Sequence, residues 1–126
     1  MNPVVSPEEP IARFLRNSNH MRTASSRPHF TAFLPKSENG EISVYRVAGL
    51  NSAEIKQIGV AHVQGTSSAL KGHAVLSAES FFAHSLNIVP HPEPHPRHAN
   101  AMGWETDAKN RVIAKALADA AVLLKY

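Results

Sequence analysis

Proline stands at every second position from Pro90 to Pro96, bracketing His91, Glu93 and His95, and Arg97 and His98 follow at once. Proline forbids a helix here and holds the chain extended. In an extended chain alternate side chains share an edge, so His91, Glu93, His95 and Arg97 could project together. Imidazole and carboxylate groups at that spacing suit zinc or another transition metal, which makes His91, Glu93 and His95 candidate ligands. Polyproline geometry turns every three residues and would instead splay that set, leaving His95 aligned with His98. The spacing matches no standard zinc pattern, and a stiff connector rich in histidine accounts for it equally. The sequence calls for no cofactor.

The same residues can do chemistry without a metal. Histidine transfers protons near neutral pH, and arginine grips a phosphate with two parallel hydrogen bonds. His95, His98 and Arg97 are the candidate catalytic set for cleaving RNA, through activation of its 2′-oxygen and protonation of the leaving oxygen. His29 and Tyr45 stand on neighbouring segments. With eight histidines in the chain, such a set also arises easily by chance.

Charge gives a second pointer. Between Pro10 and Ser37 lie five basic residues (Arg13, Arg16, Arg22, Arg27 and Lys36) and no acid, whereas Glu38 to Tyr126 carries eight of each sign. A basic third of this kind fits an anionic partner, either nucleic acid or a phosphate-bearing ligand. The candidate phosphate contacts are Arg22, Arg27, His29, Arg46 and Arg97. A solvated basic face is the plainer explanation. Arg46 is a special case: in phase with Ile42 and Val44, it should turn toward the apolar face and need a partner there. A strand-end arginine reaching out to water, or one paired with Glu41 or Glu54, is the plainer reading.

Several classes are excluded. With no cysteine, there is no disulfide, thiolate site or cysteine nucleophile. No Gly-x-Ser-x-Gly turn surrounds Ser25, Ser26, Ser67 or Ser68, and no Gly-x-Gly fingerprint occurs. Carboxylates are too scattered for a two-metal nuclease or a glycosidase. No stretch approaches the ~18 apolar residues of a membrane span, and the first residues lack a signal-peptide pattern. The expectation is a cytoplasmic protein without membrane association.

These groups must be positioned by a small fold. A chain of 126 residues predicts a single domain over residues 1–126, with 1–6 as a flexible lead-in. Ser6-Pro7-Glu8-Glu9 reads as a helix start, and Ile11, Phe14 and Leu15 extend it toward Arg16. Residues 17–28 read as a loop. His29 to Leu34 and Glu41 to Val47 read as the arms of a hairpin closed at Asn39-Gly40. Asn51 to Glu54 should cap a short helix ending near Gly59, with a strand over 60–65. Lys71 to Ser77 reads as strand, Ala78 to Ser85 as helix and Leu86 to Val89 as strand. Apolar spacing from Asp107 to Leu124 predicts a long C-terminal helix, with Trp104 plugging the core ahead of it. His62, His73 and His84 read as packing or surface histidines.

The fold class expected is α+β: a small antiparallel sheet, including the 29–47 hairpin, covered by the C-terminal helix and one or more short helices in two layers. The leading functional expectation is binding of nucleic acid or a phosphate-bearing ligand through an Arg/His site. A metal-independent ribonuclease-like enzyme and a non-catalytic module that recognises a protein partner through its proline segment or an exposed sheet edge are the alternatives.

Overall fold

A computed structural model of the chain describes residues 3–21, 27–37, 40–64 and 69–126. Among these residues six strands form one antiparallel sheet: β1 (Pro10–Leu15), β2 (Ile42–Arg46), β3 (Gly72–Ser77), β4 (Asn87–Pro90), β5 (His98–Met102) and β6 (Val122–Lys125). Their order across the sheet is β4-β5-β2-β1-β3-β6. The helices are α1 (Ser52–His62), α2 (Ala78–Phe82) and α3 (Asp107–Ala120), joined by 3-10 turns at Ser18–His20 and Phe30–Phe33. The α+β class, the antiparallel sheet and the C-terminal helix are as expected from the sequence.

The first departure is at the N-terminus. Ser6 to Glu9 makes only a turn, with Glu9 N–H donating to Ser6 O at 3.2 Å, and Pro10 opens a strand instead of continuing a helix. β1 lies between β2 and β3. Ile11 and Leu15 are buried on one face of it, Ala12 and Phe14 on the other. A strand buried on both faces loses its alternation, and its apolar run then mimics helical spacing.

The 29–47 hairpin does not form. Pro28 and Pro35 bracket Phe30–Phe33, which winds into a 3-10 turn whose start is capped by His29 Nδ1 accepting from Thr31 N–H. Such local side-chain bonds compete with strand pairing. β2 pairs instead with β1 (Ile11↔Arg46, Ala12↔Tyr45) and with β5 (Ile42↔Ala101 through Tyr45↔His98). The Asn39 half of the expected turn lies outside the described residues.

α1 carries the expected capping box, Asn51 with Glu54, yet runs past Gly59 to His62, so no strand starts at 60. Gly59 is where the helix touches the sheet: a Cβ there would sit 2.5 Å from Phe14 and 2.6 Å from Leu70. α3 stops at Ala120, short of Leu124, because the next residues alternate, with Leu123 buried and Val122 and Leu124 exposed. They add β6 to the edge of β3, and Gly72 permits the approach, since a Cβ would meet Leu124 O at 2.4 Å. The strand, short helix and strand expected over 71–89 are present as β3, α2 and β4.

Helices cover both faces, giving three layers where two were expected. α2, α3 and the Phe30–Phe33 turn pack on Ile11, Leu15, Val44, Leu76 and Ala101. α1 packs on the opposite face against Ala12, Phe14 and Tyr45. Trp104 fills the first of these cores and donates Nε1–H to Ala101 O at 3.0 Å. Arg46 does turn inward with Ile42 and Val44. It is paired with Glu9, a carboxylate delivered by the turn before β1.

The β6 edge depends on a neutral histidine. His73 is 2 % exposed, and its Nδ1 shares a hydrogen bond with the Tyr126 hydroxyl. Burial lowers the His73 pKa and pushes the Tyr126 hydroxyl up to about 12. The unfolded chain therefore takes up a proton that the folded chain refuses, so stability is full above the unfolded histidine value and falls as pH drops below about 6.5. His20 and His95, also lowered by burial first, add in the same direction. Urea midpoints should decline between pH 7.5 and pH 5, and His73→Phe should make the decline shallower. An identical decline in that variant would remove His73 from the account.

Candidate functional site

The β1–β2 ladder holds only two residue pairs, Ile11↔Arg46 and Ala12↔Tyr45. Beyond them the strands part. The Arg13 guanidinium reaches across the gap, donating Nε–H to Ala32 O and one Nη–H to Ser43 O, both at 2.9 Å. A cleft of about 780 Å³ opens there. Its floor is Ser43, Tyr45, His98 and Asn100 on the sheet face that α1 only partly covers, and its walls include His62 of α1 and His91 and Pro94 of the β4–β5 connection. Arg16, His20 and Lys36 complete the rim.

Among the described lining residues Arg13, Arg16 and Lys36 are cationic, and Glu41 is the one carboxylate. Burial, and then the charge of Arg16, lowers the Arg13 pKa to about 10. The guanidinium therefore stays charged at neutral pH, in a setting where solvent screens it less than at the surface.

One pair stands out within the cleft. Ser43 Oγ lies 2.6 Å from His98 Nε2. His98 Nδ1 lies 2.9 Å from His91 O, which as a carbonyl can only accept. His98 thus carries its proton on Nδ1, and Nε2 accepts from the serine hydroxyl. His91 Nδ1 likewise faces the Glu93 carbonyl at 3.0 Å, so it too is a donor, and the 3.4 Å contact between the two Nδ1 atoms brings two N–H groups together.

A smaller cleft of about 320 Å³ lies alongside, lined by Glu54, Gln57, His62, His95 and Arg97. His95 packs on His62 with ring centroids 5.0 Å apart, and its Nδ1 accepts from Arg97 N–H. Its pKa is lowered by burial first, then by His62 and Arg97.

The expected site residues are therefore dispersed. His98 is in the larger cleft, whereas His95 and Arg97 line the smaller one. Both histidine rings pack edge-on against Tyr45, at 5.2 Å for His98 and 6.3 Å for His95. Arg97 spends one terminal nitrogen on the Arg46 and Ala48 carbonyls, both at 3.1 Å. Arg46 is held by Glu9, Arg27 donates to Ala121 O just past α3, and His29 caps the Phe30–Phe33 turn. Arg22 lies outside the described residues. Arg27, Arg46, Arg97 and His98 do not meet in one cleft.

The proline segment is no extended ligand strip either. It links β4 to β5, with His91 N–H donating to His98 O and His98 N–H to His95 O. His91 faces one cleft and His95 the other, and no three histidine or acidic side chains among the described residues are grouped to hold a metal. Sequence reasoning missed Ser43, His20 and His62. For Ser43 the signal was present: alternation with Ile42 and Val44 turns it toward the opposite face. No protein-family model, curated protein or solved structure matches the chain.

Proposed function

We propose that the larger cleft binds a small phosphate-bearing ligand, either a mononucleotide or the terminal phosphate of a nucleic-acid strand. The observation that carries this reading is the gathering of Arg13, Arg16 and Lys36 around one concave surface that also presents Ser43, His98 and Asn100. The arginine and lysine cations and the Asn100 amide are the donors a phosphate uses. The volume falls within the usual range of small-ligand sites, ~300–1,000 Å³. The cleft's aromatic rings, Phe14 and Tyr45, are buried in the packing against α1, so no broad stacking platform favours a long single strand. A cytoplasmic setting, with its nucleotide pool, is part of the proposal.

The test is a binding titration with adenosine monophosphate and with a short 5′-phosphorylated oligonucleotide over a range of salt concentrations. Cationic contacts to the phosphate predict that affinity falls as salt rises. Affinity indifferent to salt, or no binding at low salt, would count against the cleft as a phosphate site.

A further inference from the structure

The Ser43–His98 pair has the parts of an activated nucleophile: a hydroxyl within hydrogen-bond reach of a base that a third group orients. We propose that Ser43 is a nucleophile, with His98 as its general base, for removing a phosphoryl group from a phosphoester bound in the cleft. This deepens the phosphate-binding reading and rests on it.

The geometry supplies each requirement. Ser43 is exposed on β2, so its oxygen can meet a substrate, while His98 beside it is 7 % exposed. The donor on His98 Nδ1 is fixed by His91 O, itself pinned by Glu93 N–H at 2.8 Å, so the lone pair left on Nε2 points at the serine. Both residues sit on adjacent strands of an unbroken ladder in which Ser43 pairs with Asn100 and Tyr45 with His98. Sites built on paired strands hold their geometry better than sites on loops. Cross-strand partners share a face, which puts the Asn100 amide beside the hydroxyl. Arg13 is tied to the serine's own carbonyl and lines the same cleft, so a cation is within the site that receives the phosphoryl group.

In the step proposed, Ser43 Oγ forms a bond to phosphorus as the bond from phosphorus to the ester oxygen breaks. The hydroxyl proton passes to His98 Nε2 and then to the departing alkoxide. Water next attacks the phosphoseryl phosphorus, His98 takes the water proton, and inorganic phosphate leaves as that proton returns to Ser43 Oγ. Substrate and water are the only reactants.

Diisopropyl fluorophosphate is the probe, because a serine attacks its phosphorus with loss of fluoride. Wild-type protein should gain one diisopropylphosphoryl group, mapped by peptide mass spectrometry to Ser43, and inorganic phosphate should slow the labelling. Ser43→Ala should gain none. His98→Gln should label at least about 100-fold more slowly, the range expected for loss of a general base. If that variant fails to fold, wild-type protein in urea serves instead: its Ser43 should lose the same factor in rate. No adduct on native Ser43, or equal rates in native and unfolded protein, overturns the nucleophile. Labelling that phosphate does not slow overturns the phosphoester substrate. A protein that binds adenosine monophosphate but takes no label loses this inference and keeps the binding reading.

Discussion

Replacing Glu9 with alanine should lower the unfolding free energy by about 3 kcal/mol or more, the cost of removing one partner of a buried ion pair. Both carboxylate oxygens of Glu9 accept from Arg46, at 2.8 Å from Nε and 2.7 Å from Nη2. The two side chains are 13 % and 3 % exposed, so water cannot replace the lost partner at the guanidinium. The pair also closes the end of the sheet where β1 and β2 still run together, since Ile11 and Arg46 are register partners. Urea unfolding checks this. With a slope of roughly 1–3 kcal/mol per molar urea for a protein of this size, the midpoint should move by about 1 M or more. A double replacement, Glu9→Leu with Arg46→Met, should recover most of the loss, because a packed apolar pair avoids the desolvation cost. A Glu9→Ala variant within about 1 kcal/mol of wild type would make the pair equivalent to a surface bridge.

Reversing charge at the cleft rim should separate binding from stability. Arg16 and Lys36 are exposed, so Arg16→Glu and Lys36→Glu should each leave the unfolding free energy within about 0.5 kcal/mol. Affinity for adenosine monophosphate should fall about tenfold or more for each, since hydrogen bonds to charged groups contribute roughly 1.5–3 kcal/mol. The double variant should lose on the order of 100-fold, and the salt slope should flatten with the contacts removed. Arg111→Glu on α3 is the control, because that helix packs on the other face of the sheet. It should bind like wild type. If Arg111→Glu weakened binding as much as Arg16→Glu, the effect would belong to net charge and not to the cleft.

The elements legible in the sequence are those whose signals are local. The Asn51–Glu54 capping box, the apolar spacing of α3 up to Ala120 and the strands on either side of α2 all rest on neighbouring residues. The failures share another cause. β1 is central and buried on both faces, β6 is decided by the open edge of β3 and by Gly72, and the Phe30–Phe33 turn is held down by α3. Tertiary partners decided those segments, and no window of sequence contains them.

The site follows the same division. Sequence alone picked out His98, and the basic third contains Arg13, Arg16 and Lys36. Their meeting with Ser43 depends on the β2–β5 register and on the parting of β1 from β2, neither visible in composition. The density of histidine and proline drew attention to His95 and Arg97, which the β4–β5 connection carries to the neighbouring cleft. Arg46 was legible as an inward-facing residue in need of a partner. Its carboxylate could not be named, because the turn that brings Glu9 beside it read as the start of a helix.

The most direct test of the central claim is a two-dimensional amide NMR titration of the wild-type protein with inorganic phosphate at low ionic strength. The account predicts saturable shifts concentrated at Arg13, Arg16, Lys36, Ser43, His98 and Asn100, with α3 undisturbed. Saturable shifts centred on Arg27 and the end of α3, or no saturation at all, would contradict it.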